Sequence, residues 1–157
     1  MRCQLDEVKL ILDIAIAARK SLLNELPENS VLYRCNPGPS SLVYGLLLLS
    51  GNDVFIQKGV VSMGDKELDH YWVLVYLDGD AFILDIAPTW YKDQLDVEVR
   101  EDVLFMPEGE AAAEYGYAMG KDYEWRKEDC GENVWQAALE HLKIKKPLSQ
   151  VFRDIEE

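Results

Sequence analysis

Basic residues are scarce in this sequence: 16 Lys and Arg stand against 29 Asp and Glu, for a formal charge of −13. A chain this acidic repels phosphate backbones and anionic lipid surfaces, so neither nucleic acid nor membrane is expected as a partner. The one basic cluster, Lys143, Lys145 and Lys146, is too short to reverse that expectation. Cysteine is almost as scarce. Cys3, Cys35 and Cys130 are odd in number and far apart, which argues against a disulfide framework and for a reducing, cytoplasmic setting. The two histidines, His70 and His141, stand in no recognised metal-ligand spacing with Cys or Glu, so no metal and no cofactor are expected. Long apolar runs are missing too. The stretch VKLILDIAIAA follows Asp6 and Glu7, is broken by Asp13 and is succeeded by Arg19 and Lys20. It reads neither as a signal peptide nor as a membrane span, which needs roughly 18 or more apolar residues. Internal repeats, low-complexity tracts and linkers are absent as well.

What remains, 48% apolar and 29% charged in 157 residues, is the composition of one ordinary globular domain spanning 1–157. A chain of this length buries roughly 68–70% of its unfolded surface, enough for a core without staples. Leu5, Val8, Leu12, Ile16 and Leu23, broadened by Ile11 and Ala15, predict an amphipathic helix over 4–24. Pro27 ends it, and 28–39, with Pro37, Gly38 and Pro39, reads as a loop. The run LVYGLLLL predicts a helix buried on all sides, beginning at Ser40 or Ser41 or as early as Pro37 with Asn36 as N-cap, and ending at Gly51. Strands are expected at 54–63, 70–77 and 80–86. Beyond Pro88 a short strand within 97–105 and a helix over 108–119 are expected. A helix over 133–142 capped by Asn133 and a last helical piece over 147–155 with Pro147 at its first position complete the reading. The fold class is α+β, with N-terminal helices packed on a mainly antiparallel sheet and C-terminal helices after it.

The stretch DHYWVLVYLDGDAFILDIAPTW, Asp69 to Trp90, anchors the chain. Asp78-Gly79 suits the positive φ angles of a two-residue type I′ hairpin turn. With that turn Leu77 faces Asp80, Trp72 faces Asp85 and His70 faces Ala87. His70 and Asp85 are then diagonal neighbours on one face, roughly 7–8 Å apart at the backbone and within side-chain reach. A loop one residue longer would send Asp85 to the other face.

A thiol is a nucleophile only as thiolate, and a nearby imidazolium or a helix N-terminus favours that form. Cys35 lies just ahead of the apolar helix, His70 opens one strand, and Asp85 closes the next, where it can hold the imidazole in one tautomer. Trp72, on the His70 face, would shield the pair from water. Cys35, the helix ending at Gly51, His70-Tyr71-Trp72-Val73, and Asp85 followed by Pro88-Thr89 together resemble the transglutaminase-like superfamily, within the wider papain-like fold. The resemblance covers about residues 33–90 and implies cysteine-based acyl chemistry on an amide or thioester: hydrolysis, deamidation or acyl transfer. It implies Cys35 as nucleophile, His70 as general base, Asp85 as its orienting carboxylate, Trp72 and Tyr33 as substrate-binding side chains, and a peptide or protein substrate. Two alternatives stand beside it: a protein-binding module of the same fold without turnover, and, on net charge alone, an acidic mimic of nucleic acid.

Overall fold

The computed structural model describes residues 4–25, 37–63, 65–87 and 103–156. Helix α1 (Gln4–Glu25) comes first, then α2 (Gly38–Leu49) and strands β1 (Asp53–Met63), β2 (Lys66–Leu77) and β3 (Asp80–Asp85). Strand β4 (Leu104–Pro107), helix α3 (Glu108–Tyr115) and strand β5 (Tyr117–Tyr123) follow. A short 3-10 turn at Lys127–Asp129 leads into α4 (Glu132–His141) and α5 (Leu148–Glu156). The five strands form one sheet in the order β4-β3-β2-β1-β5, and every neighbouring pair is antiparallel. The molecule is therefore α+β, as the patterning predicts. Among the described residues no helix is long and apolar enough to cross a membrane.

Because side chains alternate across a strand, the sheet has two distinct faces. Val73, Val75 and Leu77 of β2, Val54 of β1 and Leu84 of β3 point to the face covered by α1, α2, α4 and α5, where the large core lies. Trp72, Leu74, Ile83 and Val61 point the other way, into a smaller cluster closed by Leu104, by Ala111 of α3 and by Tyr117 of β5. Both faces of the hairpin are thus covered, which is why neither strand shows the apolar-polar alternation of a half-exposed sheet.

Helix α2 is buried on most sides, as its composition predicts, with Leu42, Val43, Leu46 and Leu47 all at 1% exposure or less. It begins at Gly38 with Pro37 in the N-cap position, and Asn36 lies outside the described residues. A proline there offers no side-chain cap, but its carbonyl accepts from the Ser41 N–H at 2.8 Å. Asp129 reinforces this end: it accepts from the Ser41 hydroxyl at 2.7 Å and from the Tyr123 hydroxyl, while the Trp125 indole N–H donates to the Ser41 carbonyl at 3.1 Å.

Three expectations are corrected. The buried stripe of α1 is Ile11, Ala15, Ala18 and Leu22, whereas Leu5 and Ile16 are 76% and 49% exposed. That helix carries apolar residues around most of its girth, and its alanine-lined side admits the closer approach to the core. Helix α4 starts at Glu132 on Gly131, whose carbonyl accepts from Val134 and Trp135, so Asn133 lies inside it rather than capping it. The expected helix over 108–119 stops at Tyr115, and Tyr117 onward is an edge strand. Gly116 makes the break at φ 72, where a Cβ would sit 1.6 Å from the Ser62 carbonyl oxygen. Its own carbonyl accepts from the Ser62 N–H at 2.8 Å, pulling the next residues into register with β1. Of the strand expected within 97–105, residues 97–102 lie outside the described residues, and β4 begins at Leu104.

Candidate active site

The hairpin turn sets the site. Asp78 and Gly79 both take positive φ, 52° and 85°, as a type I′ turn requires, and the strands pair Leu77 with Asp80, Leu74 with Ile83 and Val73 with Leu84. Beyond these pairs, on the smaller face, His70 Nε2 and Asp85 Oδ2 meet at 2.6 Å. Both side chains are buried, His70 to 3% and Asp85 to 2% exposure.

Asp85 is held from three directions. Its Oδ1 accepts from the Ala87 N–H at 2.8 Å, the turn-capping bond of a strand-terminal aspartate, while Oδ2 accepts from the Tyr117 hydroxyl at 2.6 Å as well as facing His70. A carboxylate so satisfied cannot rotate without losing hydrogen bonds, each of which costs about 1–3 kcal/mol when a buried group is left unpaired. The contact with Asp85 through Nε2 restricts the orientations the imidazole can take in turn.

Aromatic rings enclose the pair. Tyr117 meets Trp72 edge-on at 5.0 Å between centroids, and the His70 ring lies 6.3 Å from Trp72 and 6.4 Å from Tyr117. Excluding water lowers the local dielectric and strengthens the contact between imidazole and carboxylate. Room for the indole comes from Gly59 on β1, where a Cβ would lie 2.4 Å from Trp72 Cη2; the β1–β5 register shifts beside it, between Lys58 and Val60. Trp72 thus has a place in the core. It also lines a cavity of about 290 Å³ with Ile83, Glu108, Gly109, Ala112 and Tyr117.

His70, Asp85 and Trp72 are therefore brought together, whereas Cys35 and Tyr33 lie outside the described residues. The described cysteine, Cys130, is a poor nucleophile: burial pushes its thiol up to about 12, and the neighbouring Asp129 adds to the effect. Helix α2, which Cys35 precedes in sequence, packs its apolar side on the opposite face of the sheet from His70. His141 is exposed in the last turn of α4. Among the described residues no cluster of three or more His, Cys, Asp or Glu side chains is arranged to hold a metal ion.

Tyr117 is the member of the site that sequence reasoning missed, because it fell within the expected helix over 108–119. The signal was Gly116 after the alanine-rich run, a C′ glycine that ends a helix and frees the next residue to enter a strand. Chemically, the arrangement sets an imidazole against a carboxylate in a water-poor surrounding. No protein-family model, no curated protein and no solved structure matches the chain.

Proposed function

We propose that the protein is a cysteine-dependent hydrolase or acyltransferase of the transglutaminase-like, papain-like type, acting on an amide or thioester. Cys35 gives its proton to the His70 imidazole, its sulfur bonds to the substrate carbonyl carbon, and the amine or thiol leaves with the proton returned by His70. Water or an amine then takes the acyl group and restores the thiol. Asp85 orients His70 and stabilises the imidazolium, Tyr117 positions Asp85, and the backbone N–H of Cys35 is one oxyanion donor. The observation that carries this reading is the 2.6 Å contact between His70 and Asp85, made across adjacent strands that follow a cysteine and an apolar helix in the expected order.

A second reading, a module of the same fold that binds protein without turnover, draws on the deep burial of His70 and on the packing of α2 against the opposite face. A small activated thioester, S-phenyl thioacetate, separates the two. The enzyme reading expects an acetyl group on Cys35 by peptide mass mapping, at a rate reduced roughly 10²–10⁴-fold in His70→Ala. No acetylation of Cys35, or equal acetylation in both proteins, would leave the binding module as the better account.

A further inference from the structure

Helix α1 carries a cation on its core-facing side. Arg19 stands four residues after Ala15 and three before Leu22, so it lies along the stripe of Ile11, Ala15, Ala18 and Leu22 that packs into the large core. The residue is half-buried. Taking a guanidinium out of water is costly unless its N–H groups find acceptors inside the protein. One acceptor is the backbone carbonyl of Ile86, 67 residues further along the chain, which takes a hydrogen bond from the Arg19 Nη1–H. That carbonyl belongs to the peptide group joining Ile86 to Ala87, and the N–H of the same group donates to Asp85 Oδ1 at 2.8 Å. In a trans peptide the C=O and the N–H point in opposite directions. The group is therefore gripped from two sides. A cation from α1, on the helical face, holds its oxygen, and its N–H holds the carboxylate that meets His70 Nε2 at 2.6 Å on the smaller face.

We infer that Arg19 is a positioning residue for the buried pair: its guanidinium clamps the Ile86–Ala87 peptide group and, through that group, sets the orientation of Asp85 toward His70. The effect on rate rests on the acyl-transfer reading, whereas the clamp itself does not. Two physical effects act in the same direction. A peptide group held at its oxygen cannot turn its N–H away from Asp85 without breaking a charge-assisted bond, which is the stronger kind. A cation on the carbonyl oxygen also polarises the peptide and makes its N–H a better donor to the carboxylate, since successive bonds in a hydrogen-bonded chain strengthen one another. The Tyr117 hydroxyl meanwhile holds Asp85 Oδ2 at 2.6 Å. Asp85 is thus fixed at one oxygen by α1, acting through the backbone, and at the other by β5. The helical face, which carries most of the apolar core, reaches the pair on the opposite face through a single peptide group.

The Ala87 amide and the His70 ring signals in ¹H–¹⁵N spectra provide the test. In Arg19→Met the Ala87 proton should move upfield and exchange with water roughly tenfold faster or more, and the His70 ring signals should shift with it. Arg19→Lys, which keeps a cation able to donate to the carbonyl, should restore most of both changes. Ile11→Ala loosens the same stripe without touching the peptide group and should leave the Ala87 and His70 signals as in wild type. Unmoved signals in a folded Arg19→Met protein, or the same shifts in Ile11→Ala, would overturn the inference. Wild-type protein supplies a check that no variant's folding can spoil: the Arg19 guanidinium protons should exchange slowly with water, and exchange as fast as that of a solvated arginine would also overturn it. Acetylation of Cys35 by S-phenyl thioacetate should slow severalfold in Arg19→Met and recover in Arg19→Lys; an undiminished rate in Arg19→Met would refute the positioning role. The two readings fail separately. Should Cys35 resist acetylation in wild type while Ala87 responds as expected, the clamp stands and the acyl-transfer reading falls; should Cys35 be acetylated while Ala87 stays unmoved, the clamp alone falls.

Discussion

The two faces of the sheet are built from the same strands and do different work. On the helical side, branched aliphatic residues of β1, β2 and β3 meet Ile11, Leu22, Leu46 and Leu47 in a broad apolar core, to which α4 and α5 add Val134, Trp135 and Val151. On the other side, among the described residues, the cover is one short helix, the apolar cluster is small, and a histidine, an aspartate and a tyrosine hydroxyl are buried within it. Burying a Leu or Ile side chain contributes roughly 1.5–3 kcal/mol, so stability accumulates on the helical side. A buried polar cluster contributes little net stability even when fully hydrogen-bonded, and it costs heavily when broken.

That division can be tested by perturbing each face separately. The largest effect belongs to the helical core: Leu47→Ala should lower unfolding free energy by about 3 kcal/mol in urea titrations, within the roughly 2–5 kcal/mol seen for such truncations. Thioester acetylation per folded molecule should be unchanged. A variant that kept its stability but lost acyl transfer would mean that the two faces are not separable in this way. On the smaller face, Tyr117→Phe removes one donor to Asp85 and should cost only about 1 kcal/mol. It should nevertheless slow acetylation of Cys35 severalfold, and Asp85→Asn should slow it further. Equal acetylation by Tyr117→Phe and wild type would reduce Tyr117 to packing.

The smallest effect is alkaline and sharpens the contrast from the helical side. Burial pushes the Cys130 thiol from its ordinary 9.0 up to about 12, and burial together with Asp129 raises the Tyr123 phenol to about 12. Both groups stay neutral in the folded protein where the unfolded chain has begun to ionise. Their contribution to stability is therefore present in full below pH 9 and is lost as the pH rises towards 12. Urea midpoints should fall across that interval, and Cys130→Ala should flatten the decline after its pH-independent cost is subtracted. A midpoint independent of pH between 9 and 11 would show the thiol to be less enclosed than it is described.

How much of this was legible in the sequence follows from the range of the forces involved. Asp78-Gly79 fixes a turn by backbone preference alone, and the alternation of β2 and β3 then dictates which side chains share a face. The meeting of His70 with Asp85 could accordingly be read without knowledge of the rest of the chain. The helical core could be read from the apolar run of α2. Tyr117 could not, because the run EAAAEY favours helix locally, and what stops it is the close approach of Gly116 to Ser62 on another strand. The face of α1 was likewise decided by its neighbours: several orientations bury similar apolar area, and packing chose the alanine side. Gly131 displaced Asn133 at the start of α4 for a related reason, since a backbone carbonyl supplies the first helical acceptor whatever side chain precedes it.

The claim at the centre is that His70, held by Asp85 on the thinner face, activates a thiol. Iodoacetamide alkylation at pH 6, followed for each cysteine by mass spectrometry, measures it. Cys35 should react far faster than an ordinary thiol, Cys130 should remain almost unmodified while the protein is folded, and His70→Ala should abolish the advantage of Cys35 without changing Cys130. Equal Cys35 rates in wild type and His70→Ala, in proteins with matching urea midpoints, would contradict the claim.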